Sequence, residues 1–171
     1  MIFGILGHGG WALSLGFAQF VYSLREDGHR VMICTQPQGV DVIAQEVRKT
    51  PLREPTVLLG YSLGANSCAW VAKELGNAPE RKIALVVGFD PTTHGAPLSD
   101  YPFGSHVEKV VCFRNVGSWP SSWLAGGAVY VGPQVQVIDV TTDHLWVQCS
   151  PYMRSTTRLL IADAMQSATV A

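Results

Sequence analysis

Short apolar runs alternate along the chain with longer segments in which apolar residues recur every three or four positions. The runs are rich in Val, Ile and Leu at both odd and even positions, which is typical of strands buried on both faces of a sheet. They predict six strands, at residues 2–6, 30–34, 56–59, 83–89, 107–113 and 135–140. The helical spacing predicts three helices between the first four strands, at residues 11–26, 40–49 and 63–75. A closing helix is expected after Ser150, because serine is a favoured N-cap and Pro151 suits the first helical position.

This order of elements predicts an α/β fold built on a doubly wound, mostly parallel sheet of six strands. Helices that alternate with parallel strands cover both faces of such a sheet, and right-handed crossovers favour a strand order of about 2-1-3-4-5-6. Two irregular stretches, residues 90–106 and 115–134, follow strands at the sheet edge where ligands bind in such folds. No repeat or linker divides the chain, so we expect a single domain over residues 1–171.

Composition narrows the classes of function. The 171 residues carry 12 Lys and Arg against 13 Asp and Glu, and 47% are hydrophobic, which excludes a disordered chain. Without a basic run, the chain has no electrostatic footprint for nucleic acid. The apolar stretch near the start lacks a cationic leader and is interrupted by polar residues and glycines, so we expect no membrane-spanning segment and a cytoplasmic protein. The oligomeric state is left open.

The four cysteines are widely spaced, with no C-x-x-C pair and no histidine at zinc-finger spacing. A chain of this length can build a core without disulfides, so free buried thiols and no metal site are expected.

The segment Gly60-Tyr61-Ser62-Leu63-Gly64 has the pattern G-x-S-x-G between a predicted strand and a predicted helix. Such a strand–turn–helix is tight enough to need small residues two positions before and after the serine. It would present Ser62 at the helix N-terminus, where the Leu63 amide can face a developing oxyanion. The alternative is a glycine-rich turn with an incidental serine.

A nucleophilic serine needs a base, and the base needs an acid that fixes its tautomer. His144 follows the last predicted strand, and Asp90 ends the strand after the serine strand, so both fall at the same sheet edge as Ser62. Pro91 is expected to hold Asp90 in an extended conformation. Asp143 and Asp139 are alternative acids, and His94, His106 and His29 are weaker alternatives to His144.

The turn after the first strand, Gly7-His8-Gly9-Gly10-Trp11, is expected to supply the second oxyanion donor from the amide of Gly9, Gly10 or Trp11. A nucleotide site is the alternative for this turn. It is disfavoured because the glycines do not complete G-x-G-x-x-G and no acidic residue ends the next strand.

Aromatic and histidine side chains near the predicted site are candidates for a substrate-binding wall. They are Tyr61, His94, Tyr101, Phe103, Trp119, Trp123 and Trp146. Packing beneath the long loops is an equally good interpretation of any one aromatic ring.

Three motifs give the chain a resemblance to the α/β-hydrolase superfamily, in its lipase and esterase branch. The segment from Gly60 to Asn66 resembles the lipase elbow G-H-S-L-G-A-[HN], Gly88-Phe89-Asp90-Pro91 resembles the G-L-D-P segment of pancreatic-type lipases, and His8-Gly9-Gly10 is similar to the H-G-G oxyanion motif. The resemblance implies Ser62 as nucleophile, His144 as general acid and base, Asp90 as its partner, and no cofactor.

The chain also departs from that family. Tyr61 stands where the elbow usually has histidine, the acid follows the strand directly after the nucleophile strand, and the sequence begins at the oxyanion strand with no room for a cap domain. We therefore expect a truncated α/β-hydrolase fold. The expected function is hydrolysis of an acyl ester or thioester, with a small-molecule or lipid-like substrate. The alternatives are an acyltransferase that uses the same triad and a catalytically inactive binding protein.

Overall fold

Six strands form one sheet in the residues that the structure, a computed structural model, describes: 1–35, 39–76, 80–93, 97–117 and 126–170, with side chains to 167. The strands are β1 (Ile2–Ile5), β2 (Val31–Cys34), β3 (Val57–Tyr61), β4 (Leu85–Phe89), β5 (Val110–Asn115) and β6 (Val135–Val140). All neighbouring pairs are parallel, and the spatial order is β2-β1-β3-β4-β5-β6. The predicted fold class and strand order are confirmed.

Two strands begin two or three residues later than the apolar runs predict. Residues 83–84 and 107–109 lie outside β4 and β5, although Ile83 and Val107 form an isolated bridge. Ile83, Ala84 and Val107 are buried, but burial alone does not place them in a regular ladder.

Four α-helices lie in the described part of the chain: α1 (Leu15–Ser23), α2 (Gly39–Lys49), α3 (Leu63–Leu75) and α4 (Pro151–Val170). The predicted helix 11–26 is interrupted at its start, where a 3-10 turn covers Gly10–Ala12. Gly9 and Gly10 have φ values of 76° and 55°, so the chain folds back there before α1 begins. The closing helix begins at Pro151 as predicted, and the Ser150 hydroxyl accepts a hydrogen bond from the Met153 amide.

The sheet separates two apolar clusters, because alternate residues of each strand point to opposite faces. Phe17 and Phe20 of α1 pack with Met153 and Ile161 of α4 on one face. The other face is covered by α2 and α3, with Ile43 and Leu75 among the buried side chains. Among the described residues, no helix combines the length and the apolar character needed to cross a membrane.

Candidate active site

Ser62 lies between the last residue of β3 and the first residue of α3, in a turn that only glycine neighbours permit. Its φ and ψ are 55° and −125°, a conformation that non-glycine residues rarely adopt. A side chain at Gly60 would overlap the Gly64 carbonyl oxygen, and one at Gly64 would overlap the Ile5 carbonyl oxygen. Strand and helix therefore approach too closely for a Cβ atom at either position.

The structure brings Ser62, His144 and Asp90 together at the carboxyl edge of the sheet. His144 Nε2 lies 2.9 Å from Ser62 Oγ, and His144 Nδ1 lies 2.6 Å from Asp90 Oδ2. The serine follows β3, the aspartate follows β4 and the histidine follows β6. All three side chains are buried, with Asp90 completely inaccessible. The imidazole is therefore held between a hydroxyl and a carboxylate and shielded from water.

Asp90 is not extended, so that expectation from Pro91 is wrong. Its φ is 51°, and its Oδ1 atom accepts the amide hydrogens of Asn115 at 3.0 Å and Gly127 at 2.8 Å. Aspartate tolerates this left-handed conformation better than most residues, because its short side chain can form such local hydrogen bonds. The two amides leave Oδ2 aimed at His144.

The alternative acids are engaged elsewhere. Asp143 Oδ1 accepts the Leu145 amide at 2.8 Å, so this carboxylate caps the turn that carries the histidine. Asp139 forms two hydrogen bonds of 2.8 Å with Arg114 on the surface, and this pairing lowers the pKa of Asp139. Neither group approaches the imidazole as Asp90 does.

His106 does not compete for the same position. His106 Nε2 lies 2.8 Å from the Ala72 carbonyl oxygen, on the side of the sheet covered by α3. His94 lies outside the described residues.

The turn after β1 lies directly against the elbow. A Cβ atom at Gly7 would be 2.9 Å from the Tyr61 carbonyl oxygen and 3.0 Å from Ser62 Cβ. The Gly7 amide donates to Ser14 Oγ at 3.1 Å, which anchors the start of the turn. The turn that was expected to carry the second oxyanion donor is therefore a neighbour of the serine.

The amides of this turn are not equivalent. Gly10 donates its amide hydrogen to the Gly7 carbonyl oxygen at 3.1 Å, so its expected role as an oxyanion donor is corrected: it closes the turn. Gly9 and Trp11 remain candidates. Sequence analysis overlooked the amide of His8, which directly follows the glycine packed on Ser62.

Tyr61 does not belong to a substrate-binding wall. Its side chain is buried, its hydroxyl donates to the His144 carbonyl oxygen at 3.0 Å, and its ring stacks on the imidazole with 5.4 Å between centroids. Burial and the nearby charge of Asp90 raise the pKa of Tyr61 well above its ordinary value. The neutral phenol therefore packs against His144 and binds its carbonyl oxygen, and it is not placed to contact substrate.

Two other aromatic candidates are also corrected. Phe103 is buried and packs edge-on against Tyr130, and Tyr101 packs against Trp70 with the Lys73 ammonium over its ring. Both rings therefore belong to the packing around α3. Trp146, by contrast, lies two residues after His144 and is 67% exposed. Trp119 and Trp123 lie outside the described residues.

Gly126 is a further site residue that sequence analysis missed. A Cβ atom there would overlap Asp90 Oδ2 and lie 2.7 Å from His144 Nδ1. The backbone at this position therefore covers the hydrogen bond between the carboxylate and the imidazole. The adjacent pair Gly126-Gly127 was the only trace of this arrangement in the sequence.

No family model matches the chain, and no curated protein sequence matches it significantly. Solved structures do match. Human thioesterase 2 has a TM-score of 0.59 at 12% identity, over 99% of this chain and 97% of that one. The NocB thioesterase domain, in a covalent complex with a fluorophosphonate nocardicin G analogue, has a TM-score of 0.60 at 14% identity, over 95% of this chain and 93% of that one. A Xanthomonas campestris pv. campestris protein assigned to the alpha/beta superfamily of hydrolases has a TM-score of 0.58 at 14% identity, over 97% of this chain and 98% of that one.

The chain has the α/β-hydrolase fold. The parallel strands end at a common edge of the sheet, so residues that follow different strands reach one another without a long loop. Within the described ranges, no group of three or more His, Cys, Asp or Glu side chains is arranged to hold a metal ion.

Proposed function

We propose that the chain is a serine hydrolase that cleaves a carboxylic ester or thioester through an acyl intermediate on Ser62. The observation that carries the proposal is the pair of contacts on the His144 ring, 2.9 Å to Ser62 Oγ and 2.6 Å to Asp90 Oδ2. A serine hydroxyl is a weak nucleophile at neutral pH. These contacts supply a base for its proton and a carboxylate that fixes the tautomer of that base.

In the acylation step, Ser62 Oγ attacks the carbonyl carbon while its proton passes to His144 Nε2. The imidazolium is stabilised by Asp90, whose other oxygen stays bonded to two backbone amides. Negative charge develops on the former carbonyl oxygen, which the Leu63 amide at the N-terminal end of α3 can stabilise together with an amide of the Gly7–Trp11 turn. The tetrahedral intermediate collapses when His144 returns the proton to the leaving alcohol or thiol, and the carbon–oxygen or carbon–sulfur bond breaks.

In the deacylation step, water takes the place of the leaving group. His144 accepts a proton from the water as its oxygen attacks the acyl carbon, and the proton then passes to Ser62 Oγ. The products are a carboxylic acid and the regenerated serine.

The substrate we propose carries an apolar acyl group. Exposed apolar side chains flank the proposed nucleophile and base: Leu13 and Leu15 follow the turn beside Ser62, and Leu145 and Trp146 follow His144. Apolar side chains around a site favour binding of hydrocarbon. Thioesters belong in the proposal because human thioesterase 2 and the NocB thioesterase domain are among the structural neighbours.

A fluorophosphonate probe tests the proposal directly, because it reacts with a serine whose proton a neighbouring base can remove. We expect stoichiometric labelling of the wild type at Ser62, and no labelling of a folded Ser62→Ala variant. Ser155→Ala is the matched control, since Ser155 is exposed on α4, and it should label like the wild type. p-Nitrophenyl esters and acyl thioesters of N-acetylcysteamine, each with acyl groups of two to about twelve carbons, then measure turnover and chain-length preference.

Three results would contradict the proposal. A folded wild type that does not label would favour a binding protein. Labelling without hydrolysis of any ester or thioester, but with transfer of the acyl group to an added alcohol or amine, would favour an acyltransferase. Equal labelling of wild type and Ser62→Ala would place the reactive group elsewhere.

A further inference from the structure

The buried side chain of Gln148 joins two segments of the chain that lie more than 130 residues apart. Its Oε1 atom accepts the amide hydrogen of Phe17 at 3.0 Å, and its Nε2 atom donates to the carbonyl oxygens of Leu13 and Leu145, each at 2.9 Å. A primary amide offers two N–H donors and an acceptor oxygen, so Gln148 forms hydrogen bonds with both its donors and its acceptor. Only 7% of the residue is exposed.

The two segments that Gln148 joins each lead to a part of the proposed site. Leu145 follows His144 directly. Leu13 follows the turn beside Ser62, where its Cδ1 atom would be 2.8 Å from a Cβ at Gly9 and where the neighbouring Ser14 holds the Gly7 amide. One connection between the His144 loop and the Gly7–Trp11 turn therefore runs through the side chain of Gln148.

Arg154 makes a second connection between the same segments. Its Nε atom donates to the Gln148 carbonyl oxygen at 3.0 Å, and its Nη2 atom donates to the Gly16 carbonyl oxygen at 2.8 Å. The 3-10 turn Val147–Cys149 is thus held both by its side chain and by its backbone.

We propose that Gln148 is a positioning residue that sets the location of the His144 loop relative to the Gly7–Trp11 turn. The inference rests on the proposed function. Tyr61 stacks on the ring of His144 and donates to its carbonyl oxygen, and Asp90 contacts its Nδ1 atom, so these two residues orient the ring itself. Gln148 instead governs the distance between the base and the amides that face the oxyanion. An error of about 1 Å in such a distance can cost about a hundredfold in rate.

Gln148→Met tests the proposal, because methionine has a similar shape and removes all three hydrogen bonds. With wild-type enzyme as reference, we expect kcat to fall by about 10- to 100-fold while KM changes by less than about threefold, since the displacement affects the transition state more than substrate binding. The rate of labelling by the fluorophosphonate should fall by a similar factor. Gln166→Met, at an exposed position of α4, should leave all three quantities unchanged.

Loss of stability alone must be separated from loss of positioning. Ile43→Val shortens a buried side chain on the opposite face of the sheet, and it should lower Tm while leaving kcat and the labelling rate at wild-type values. If Gln148→Met does not fold, Arg154→Met removes only the second connection and should show the same selective fall in kcat to a smaller extent.

The outcomes distinguish this inference from the proposed function. A wild type that neither labels nor turns over substrate would overturn both. A wild type that labels at Ser62, together with a folded Gln148→Met or Arg154→Met variant of unchanged kcat and labelling rate, would overturn the positioning role alone. A rise in KM with unchanged kcat would also overturn it, because that result would mean a role in binding substrate.

Discussion

Asp90 holds His144 with one carboxylate oxygen and the protein backbone with the other. Oδ2 lies 2.6 Å from His144 Nδ1, whereas Oδ1 accepts the amides of Asn115 and Gly127. Because the two amides prevent the carboxylate from rotating, the oxygen that faces the imidazole is determined by the backbone of β5 and of the following loop. Because each oxygen has its own partners, a change in the carboxylate or in the loop that binds it should alter the orientation of His144.

Asp90→Asn should preserve the fold and lower kcat by about 10³- to 10⁴-fold, by analogy with the serine-protease triad. The new amide oxygen would take the hydrogen bonds from Asn115 and Gly127, which turns the NH₂ group towards His144 Nδ1. The imidazole would then carry its proton on Nε2 and could no longer accept one from Ser62.

Ester hydrolysis by Asp90→Asn is the measurement, with Asp139→Asn as control, since Asp139 pairs with Arg114 on the surface. The control should retain wild-type kcat. Near-normal turnover by Asp90→Asn would mean that a different carboxylate orients His144.

Gly126→Ala should impair catalysis although position 126 contributes no reacting group. The added methyl group would overlap Asp90 Oδ2 and approach within 2.7 Å of His144 Nδ1, so the hydrogen-bonded pair must move apart. We expect kcat to fall by about a hundredfold or more, as displacement of catalytic groups by a fraction of an ångström to 1 Å can do.

Gly28→Ala is a suitable control for this variant. A Cβ atom there meets nothing within 4 Å, but φ is 86°, so the substitution costs stability without touching the site. Its kcat should equal that of the wild type. Equal activity of both alanine variants would show that the loop at Gly126 can yield without disturbing the pair.

Alkaline pH should destabilise the fold. Burial raises the pKa of the Cys112 thiol to about 12, and it raises the pKa values of Cys68, Tyr130 and Tyr61 well above their ordinary values. In the unfolded chain these groups lose their protons near the ordinary pKa values of 9 for cysteine and 10 for tyrosine. Above about pH 9 the unfolded state therefore binds fewer protons, and the free energy of unfolding falls by up to about 1.4 kcal/mol per pH unit for each group.

Urea unfolding between pH 7 and pH 11 measures this effect. Tyr130→Phe should reduce the slope above pH 10, although loss of the hydrogen bond to the Ala65 carbonyl oxygen costs about 1 kcal/mol at neutral pH. Tyr152→Phe, at an exposed ring, is the matched control. A midpoint that stays constant up to pH 11 would contradict the prediction.

Sequence patterns were informative wherever neighbouring residues carry the information. The six apolar runs located the strands, and the handedness of the connections between them predicted the strand order. The spacing of Gly60 and Gly64 around Ser62 described a turn that tolerates no Cβ atom at either glycine. Such features depend on period and on local sterics, both of which are written in consecutive residues.

Contacts between side chains and irregular loops were predicted less well. Tyr61 lies at the end of β3. Nothing in the sequence indicates that the loop after β6 packs on its ring and that the His144 carbonyl oxygen accepts a hydrogen bond from its hydroxyl. Phe103 was a candidate wall residue, but it is buried, and Tyr130, which is distant in sequence, packs edge-on against it. Asp90 departs from extended geometry because Asn115 and Gly127, distant in sequence, bind its carboxylate.

The amino-acid order alone determined that this chain forms a parallel sheet with a strained serine turn, and that a histidine and an aspartate follow strands at the same edge. Only the tertiary structure decided which carboxylate oxygen meets the imidazole, which ring stacks on it, and that Gln148 connects the His144 loop to the segment after the Gly7–Trp11 turn. The physical reason is that hydrophobic period and glycine sterics act between near neighbours. Hydrogen bonds to loop backbones instead depend on the paths of segments without any period, and those paths are settled when the whole chain packs.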